Sequence, residues 1–298
     1  MTSQPSRPET IKPEALELYN EYIHGELPRR AFLKRLAIIA GGTAAAGSLL
    51  PLLEPNYAWG QQLAEDDPRL QTAYVEYPGT DGRVRAYLAQ PAEQEAPLPG
   101  VLVIHENRGL NAHIEDVARR TALAGYVALA PDGLSYVGGA LEDQEASRDL
   151  FGSSDRQRIT DDVLAGVPYL AARSDCNGNV GSVGFCYGGG VALKSAAREP
   201  AIRAAICFYG SALTAEEVKQ VKAPLMMNYA GDDPRVNQSI PAFMALLDEH
   251  AVPYSLNMYP ETGHGFHNDS SAARYAPEAA ALAWKRSLAF FATYLGSV

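Results

Sequence analysis

The chain has 298 residues, of which 47% are hydrophobic and 20% are charged, a composition typical of a soluble globular protein with one large domain. Its net charge of −10 at pH 7 argues against a nucleic-acid-binding surface, which needs an excess of Lys and Arg. The three cysteines lack the spacing of a zinc site, and no Gly-rich dinucleotide fingerprint is present, so the sequence implies neither a metal nor a cofactor.

The first 60 residues form a predicted N-terminal extension that contains an export signal. Arginines 29 and 30 precede Phe32-Leu33-Lys34, and an uncharged run that includes many Gly and Ala residues extends from residue 36 to 53. This arrangement resembles a twin-arginine signal with a cleavage site after Gly60. It predicts an extension over residues 1–60, a main domain over 61–298, recognition by the twin-arginine export machinery, and a periplasmic or exported protein.

An alternative interpretation keeps the extension in the mature protein. An amphipathic stretch, Ala15 to Ile23, precedes the arginines and is longer than the usual charged start of a signal. The extension would then form a helical hairpin, broken at Gly25 to Pro28, that packs against the main domain and stays with it in the cytoplasm.

From residue 72 onwards, short apolar or alternating runs typical of strands alternate with helical patterns. Strands are predicted at 72–77, 84–89, 101–104, 127–130, 180–183, 204–208, 224–229 and 255–259, and helices at 114–123, 159–170, 191–197, 215–221, 240–250 and 279–295. This alternation predicts an α/β fold, a doubly wound and mostly parallel sheet flanked by helices, with a β-hairpin at its edge. Residues 132–154 have no strand character and are a candidate lid, or an ordinary surface excursion.

The predicted strand at 180–183 runs into a Gly-x-Cys-x-Gly-Gly sequence centred on Cys186, and a helix follows. A sharp strand-to-helix turn of this kind holds one side chain at its apex, and Gly184 and Gly188 leave room for the close approach of strand and helix. The positive end of the helix dipole favours the thiolate, the reactive form of cysteine. The alternative is a buried structural cysteine in a glycine-rich bend.

An acid and a histidine follow at the ends of two later predicted strands, and the carboxyl ends of parallel strands meet at one edge of a sheet. Asp233, in Gly-Asp-Asp, is preferred to Asp232 because it closes the turn; His264, in Gly-His-Gly, is preferred to His267 because its glycines let it reach inward. A histidine that takes the thiol proton, oriented by a carboxylate, activates a nucleophile.

Glu106 follows the buried run 101–104 directly. Its carboxylate is expected to hold Cys186 as a neutral thiol until substrate displaces it, or else to form an ion pair with Arg108 or Arg119. In α/β-hydrolases this strand end supplies one oxyanion-hole amide, here that of Asn107, and the residue after the nucleophile, Tyr187, supplies the other.

Together, Gly-Phe-Cys-Tyr-Gly-Gly around Cys186, the Glu after the buried strand, Gly-Asp-Asp and Gly-His-Gly-Phe resemble the dienelactone hydrolase family of α/β-hydrolases, from about residue 72 to the C-terminus. The sequences His-Glu-Asn-Arg-Gly and Gly-His-Gly-Phe-His-Asn, together with the twin-arginine leader, resemble an exported, little-characterised branch of this family. The resemblance implies an α/β-hydrolase fold, a Cys186–Asp233–His264 triad with Glu106 as partner of the thiol, and hydrolysis of an ester or lactone through a thioester.

The family's arginine shortly after the triad histidine, which helps to bind the substrate carboxylate, is missing, because His267, Asn268 and Asp269 occupy that stretch. Arg108 is a candidate substitute, with a structural salt bridge as the alternative, and Tyr136 and His267 are further candidate substrate contacts. The predicted function is therefore a carboxylic ester hydrolase acting on a small ester or lactone. The alternatives are a thioesterase or peptidase on the same scaffold, or a non-enzymatic exported protein that binds a partner and carries a redox-sensitive thiol.

Overall fold

A mostly parallel sheet of eight strands forms the centre of the computed structural model, which describes residues 11–56 and 61–296. The strands are β1 (Leu70–Pro78), β2 (Arg83–Pro91), β3 (Leu98–Ile104), β4 (Val127–Pro131), β5 (Cys176–Phe185), β6 (Ile202–Phe208), β7 (Leu225–Asp232) and β8 (Tyr254–Gly263). Their spatial order is β1-β2-β4-β3-β5-β6-β7-β8. β1 pairs antiparallel with β2, and β2 with β4, whereas all later neighbours are parallel. The predicted α/β sheet with a hairpin at its edge is confirmed.

Helices cover both faces of the sheet and bury two apolar cores. The helices of the main domain are α4 (Ala112–Leu123), α5 (Gln144–Ser153), α6 (Arg156–Leu164), α7 (Gly166–Ala171), α8 (Tyr187–Arg198), α9 (Ala215–Val218), α10 (Pro234–Asn237), α11 (Ile240–Glu249) and α12 (Pro277–Leu295). α4 and α12 contribute to one core and α5 to α11 to the other. Because both faces of the central strands are covered, their inner residues form the continuous apolar runs seen in the sequence.

The N-terminal extension folds as three helices, α1 (Pro13–Ile23), α2 (Arg29–Ala40) and α3 (Thr43–Leu53). They share a small apolar core, which also takes in Ala273 from the loop before α12. No single helix in the described part of the chain is long and apolar enough to span a membrane; α2 and α3 reach that length and composition only as a pair bent by 109°. The predicted cleavage point after Gly60 lies outside the described residues.

Several hydrogen bonds hold α1 against the main domain close to the carboxyl ends of the strands. The side chain of Asn107 donates to the backbone oxygen of Ile23 at 2.7 Å, and the hydroxyl of Tyr22 donates to Glu145 at 2.5 Å. The guanidinium of Arg148 also lies over the ring of Tyr22, 3.9 Å from its centre. The end of α1 is therefore fixed beside the loops where an α/β sheet binds its ligands.

Candidate active site

Cys186 lies at the apex of a strained turn between β5 and α8. Its backbone angles, φ 54° and ψ −114°, are rare for a residue with a side chain. A Cβ on Gly184 would stand 1.9 Å from the carbonyl oxygen of Gly188, and a Cβ on Gly188 would stand 2.5 Å from the backbone oxygens of His105 and Ile104. The turn can close only because both positions are glycine, and it holds the thiol away from the sheet.

Asp233 and His264 form a buried pair at the ends of β7 and β8. Nδ1 of His264 lies 2.6 Å from Oδ2 of Asp233, while Oδ1 of the same carboxylate accepts from the amide of Val236 at the start of α10. Asp232 is exposed. The structure thus brings Asp233 and His264, the residues preferred in the sequence, into contact, and Nε2 of His264 lies within 4.8 Å of the sulfur of Cys186.

The charges at this pair favour a protonated His264. Burial lowers the pKa of His264, but the charge on Cys186 and the hydrogen bond to Asp233 outweigh burial and raise the pKa to about 9. Burial raises the pKa of Asp233, and its hydrogen bond and charge interaction with His264 bring that pKa below its usual range. The arrangement therefore provides an imidazole that can accept and hold a proton beside the sulfur.

His24, from the end of α1, also reaches the sulfur, a contact that the sequence did not reveal. Its Nε2 lies 3.5 Å from Sγ of Cys186, 3.3 Å from Nε2 of His264 and 3.0 Å from a guanidinium nitrogen of Arg235. Its Nδ1 lies 2.7 Å from the backbone oxygen of Asn20, so Nδ1 carries the proton and Nε2 presents a lone pair. Burial, with the nearby His264 and Arg235, lowers the pKa of His24 to about 2, so this ring is neutral.

A cavity of about 640 Å³ opens beside Cys186. Its wall includes His24 and Tyr22 from the extension, and Phe151 and Gly152 from α5, which lies in the segment that the sequence marked as a candidate lid. The volume is that of a small-molecule site. Among the described cysteines, Cys186 is the one that lines this cavity, since Cys176 and Cys207 are buried.

Comparisons with known proteins give the same family as the motifs. A model of the dienelactone hydrolase family matches residues 84–295, and a model described as YqhI-like matches residues 4–42. The chain belongs to the dienelactone hydrolase family. It is therefore a hydrolase, with an N-terminal segment that matches a second family model.

Relatives of this hydrolase cover most of its length. A candidate carboxymethylenebutenolidase of Methylorubrum extorquens is 32% identical over 90% of this chain and 96% of its own, and a candidate 2-oxo-3-(5-oxofuran-2-ylidene)propanoate lactonase of Bradyrhizobium is 35% identical over 73% and 92%. The crystal structure of a candidate dienelactone hydrolase from Klebsiella pneumoniae superposes with a TM-score of 0.68 at 26% identity, covering 76% of this chain and 99% of the other. The predicted α/β-hydrolase fold is confirmed.

Glu106 is buried in this hydrolase, and groups other than the predicted Arg108 and Arg119 bond to its carboxylate. One carboxylate oxygen accepts from Asn268 at 2.7 Å and the other from the hydroxyl of Tyr209 at 3.4 Å. The ring of Tyr209 packs 5.0 Å from that of His264. Glu106 therefore reaches His264 through Tyr209, and of the described side chains it is that of His24 that lies within hydrogen-bonding distance of the sulfur.

The two predicted oxyanion amides follow the carboxyl ends of two neighbouring strands, β3 and β5. The amide of Tyr187 is the first of α8 and has no acceptor inside the helix, which leaves it free for a substrate oxygen. Asn107 follows β3 and lines the cavity, where its side chain is used to hold Ile23. Both positions are compatible with the role that the sequence gave them.

The three candidate substrate contacts lie away from the cavity wall. Arg108 is buried and faces Glu145 at 3.5 Å and the hydroxyl of Tyr19. The hydroxyl of Tyr136 accepts from the amide of Asp155, and His267 is buried against Phe185. These residues support the loops of the site without reaching the thiol.

Four arginines line the cavity, and the sequence motifs did not predict that they would. Arg29, Arg148, Arg156 and Arg235 all border it. Three of them face carboxylates: Arg29 and Arg148 pair with Glu145, and Arg235 lies 3.9 Å from Glu26.

Arg156 instead stacks over Phe151, 3.7 Å from the ring centre, and within the described ranges no carboxylate forms an ion pair with it. A single arginine at the start of a helix, here α6, has no motif that would have revealed this position.

Proposed function

We propose that this hydrolase cleaves a small ester or lactone through a Cys186–His264–Asp233 triad and a thioester intermediate. The observation that carries the proposal is the convergence of a strained cysteine and a buried histidine–aspartate pair beside a cavity of small-molecule size. This is the arrangement of a nucleophile, its general base and the group that orients the base.

In the first half-reaction, Nε2 of His264 holds the proton of the thiol and the sulfur of Cys186 attacks the carbonyl carbon. The negative oxygen that forms is stabilised by the backbone amides of Tyr187 and Asn107. His264 then returns the proton to the departing alcohol or enol oxygen, and the acyl group remains on sulfur as a thioester. Asp233 keeps Nδ1 of His264 protonated throughout, so that Nε2 is the atom that exchanges protons.

In the second half-reaction, a water molecule gives its proton to His264 and attacks the thioester carbonyl. The carbon–sulfur bond breaks, the thiol is regenerated and a carboxylic acid leaves. For a lactone, the acid and the alcohol belong to one molecule. His24 lies too close to Cys186 for a carbonyl to approach from its side, so substrate enters from the cavity or moves His24 aside.

The acyl-enzyme gives a direct test. We expect rapid acid quenching during turnover of an activated ester to leave one acyl group on the peptide that contains Cys186, removable by hydroxylamine and detected by mass spectrometry. Buried Cys207, whose pKa burial raises to about 12, serves as the internal control and should stay unmodified. An acyl group on another residue, or none in an active enzyme, would contradict the thioester mechanism.

The substrate class is an ester or lactone that carries an anionic group. Arg156 presents a guanidinium to the cavity without a carboxylate partner among the described residues, and stacking on Phe151 holds it there. The names of the two lactone-cleaving relatives also describe carboxylate-bearing compounds. Arg156 therefore takes the place of the arginine that the sequence lacks after His264.

Replacement of Arg156 by Gln separates charge recognition from chemistry. We expect kcat/KM for a carboxylate-bearing ester to fall about 10- to 100-fold, because a charged hydrogen bond contributes roughly 1.5–3 kcal/mol. The neutral p-nitrophenyl acetate should be affected much less. Arg203→Gln on β6 removes the same charge away from the cavity and is the control. If Arg156→Gln lowers kcat/KM equally for both substrates, Arg156 does not recognise the anionic group.

Export through the twin-arginine machinery stays a prediction of the sequence. The paired arginines begin α2, and α1 and α2 both belong to the segment that matches the YqhI-like model. The proposed hydrolysis requires residues of the main domain, so it holds for either location of the protein.

A further inference from the structure

His24, Cys186 and His264 direct three metal-binding atoms towards one point. Nε2 of His24, Sγ of Cys186 and Nε2 of His264 all lie within 4.8 Å of one another. Around a tetrahedral zinc ion, with bonds of about 2.0–2.1 Å to nitrogen and about 2.3 Å to sulfur, two nitrogens stand roughly 3.3 Å apart and nitrogen and sulfur roughly 3.5 Å apart. The separations from His24 are 3.3 Å to the second imidazole and 3.5 Å to the sulfur.

Both imidazoles are oriented as metal-bound histidines usually are. Nδ1 of His264 is held by the carboxylate of Asp233 at 2.6 Å, and Nδ1 of His24 by the backbone oxygen of Asn20 at 2.7 Å. A carboxylate or carbonyl on one ring nitrogen fixes the tautomer and leaves the other nitrogen's lone pair for the metal. The hydrolytic mechanism uses the carboxylate on His264, but it gives no role to the matching arrangement on His24.

We propose that His24, Cys186 and His264 form a binding site for Zn²⁺ or a similar borderline-soft divalent cation. Two imidazoles and a thiolate suit such a cation and, because the set contains no carboxylate, do not suit Mg²⁺ or Ca²⁺. Binding releases to solvent the proton that the Cys186–His264 pair holds, which leaves a thiolate and a neutral imidazole as ligands, and the fourth coordination position faces the cavity that Cys186 and His24 line. Because the sulfur is then bonded to the cation, binding masks the nucleophile, a consequence that rests on the proposed function.

Arg235 opposes this site and also provides a test of it. Its guanidinium lies 3.0 Å from Nε2 of His24 and donates to the lone pair that the cation needs. Glu26, 3.9 Å away, offers the guanidinium another partner when it moves off. Removal of the guanidinium should therefore strengthen cation binding, a direction that general damage to the fold would not produce.

Co²⁺, a spectroscopic substitute for Zn²⁺, tests the site in the full-length chain after treatment with a chelator. We expect one equivalent to give thiolate-to-metal charge-transfer absorption and the intense visible bands of a tetrahedral centre. His24→Ala and His24→Gln should each weaken binding by about tenfold or more, since even indirect supports of a metal ligand contribute about 10- to 100-fold. Arg235→Met should tighten it, and His250→Ala, at the end of α11, should leave it unchanged.

Absence of the thiolate band, or equal affinities of wild type and both His24 variants, would overturn the site. Zn²⁺ should also inhibit ester hydrolysis by the wild type, EDTA should reverse this, and His24→Ala should resist the same concentration. If Zn²⁺ leaves hydrolysis unaffected although the thiolate band is present, masking is overturned. A chain that binds Co²⁺ through sulfur but never hydrolyses esters would contradict the proposed function and leave the metal site standing.

Discussion

Cys186→Ala should lower the kcat for p-nitrophenyl acetate by about 10³-fold or more, because residual catalysis without the nucleophile comes only from binding and the oxyanion amides. The alanine occupies the same strained backbone, which already accommodates a Cβ. The measurement is steady-state release of p-nitrophenol by wild type and variant at equal concentration.

Cys176→Ala is the matched control, because this cysteine is also free but is buried at the start of β5, away from the cavity. It should keep nearly full activity. Cys186→Ser should keep part of the activity, since His264 can also activate a hydroxyl. Equal rates for wild type and Cys186→Ala would end the proposal of a cysteine nucleophile.

Asp233→Asn should lower kcat by about 10³- to 10⁴-fold, the range expected when an amide replaces the carboxylate that orients a catalytic histidine. The amide can donate to Nδ1 of His264, which moves the proton to Nε2 and removes the base facing Cys186. Asp232→Asn, one residue earlier and exposed, is the control and should retain activity.

The pH profile distinguishes this role of Asp233 from a structural one. In the wild type, His264 is protonated below about pH 9, so its ability to protonate the leaving group should be lost as the pH rises through that value. The carboxylate raises the pKa of His264, so in Asp233→Asn the alkaline fall in kcat/KM should move to lower pH. If the variant has reduced activity but its kcat/KM falls at the same alkaline pH as that of the wild type, Asp233 does not set the protonation of His264.

The strand-to-helix turn was predictable because its cause is local. Gly184 and Gly188 are required by contacts of less than 3 Å within a few residues of Cys186 and with the neighbouring strand. The strands and helices were predictable for a related reason, since apolar runs and helical periodicity report which faces are covered. The structure of segment 132–154 was harder to predict. Helix α5 takes up less than half of the segment, and the rest of it, which contains Gly and Ser, shows no periodic pattern of apolar residues.

The choice of Asp233 over Asp232, and of His264 over His267, followed from turn chemistry and agrees with where these side chains lie. The partner of Glu106 did not follow in the same way. Its carboxylate bonds to Asn268 and Tyr209, which the chain supplies more than 100 residues later, and no pattern in the sequence links these positions.

The sequence by itself determined the family, the sheet, the position of the strained cysteine and the order of the acid and histidine. Each of these depends on residues that act on their immediate neighbours or that recur with a regular period. Only the tertiary structure decided what surrounds the sulfur. His24 arrives from a segment 162 residues away that the sequence marked as an export leader, and Arg156 reaches the cavity by stacking on Phe151. Such contacts depend on how separate helices pack, and packing joins residues whose spacing along the chain carries no signal.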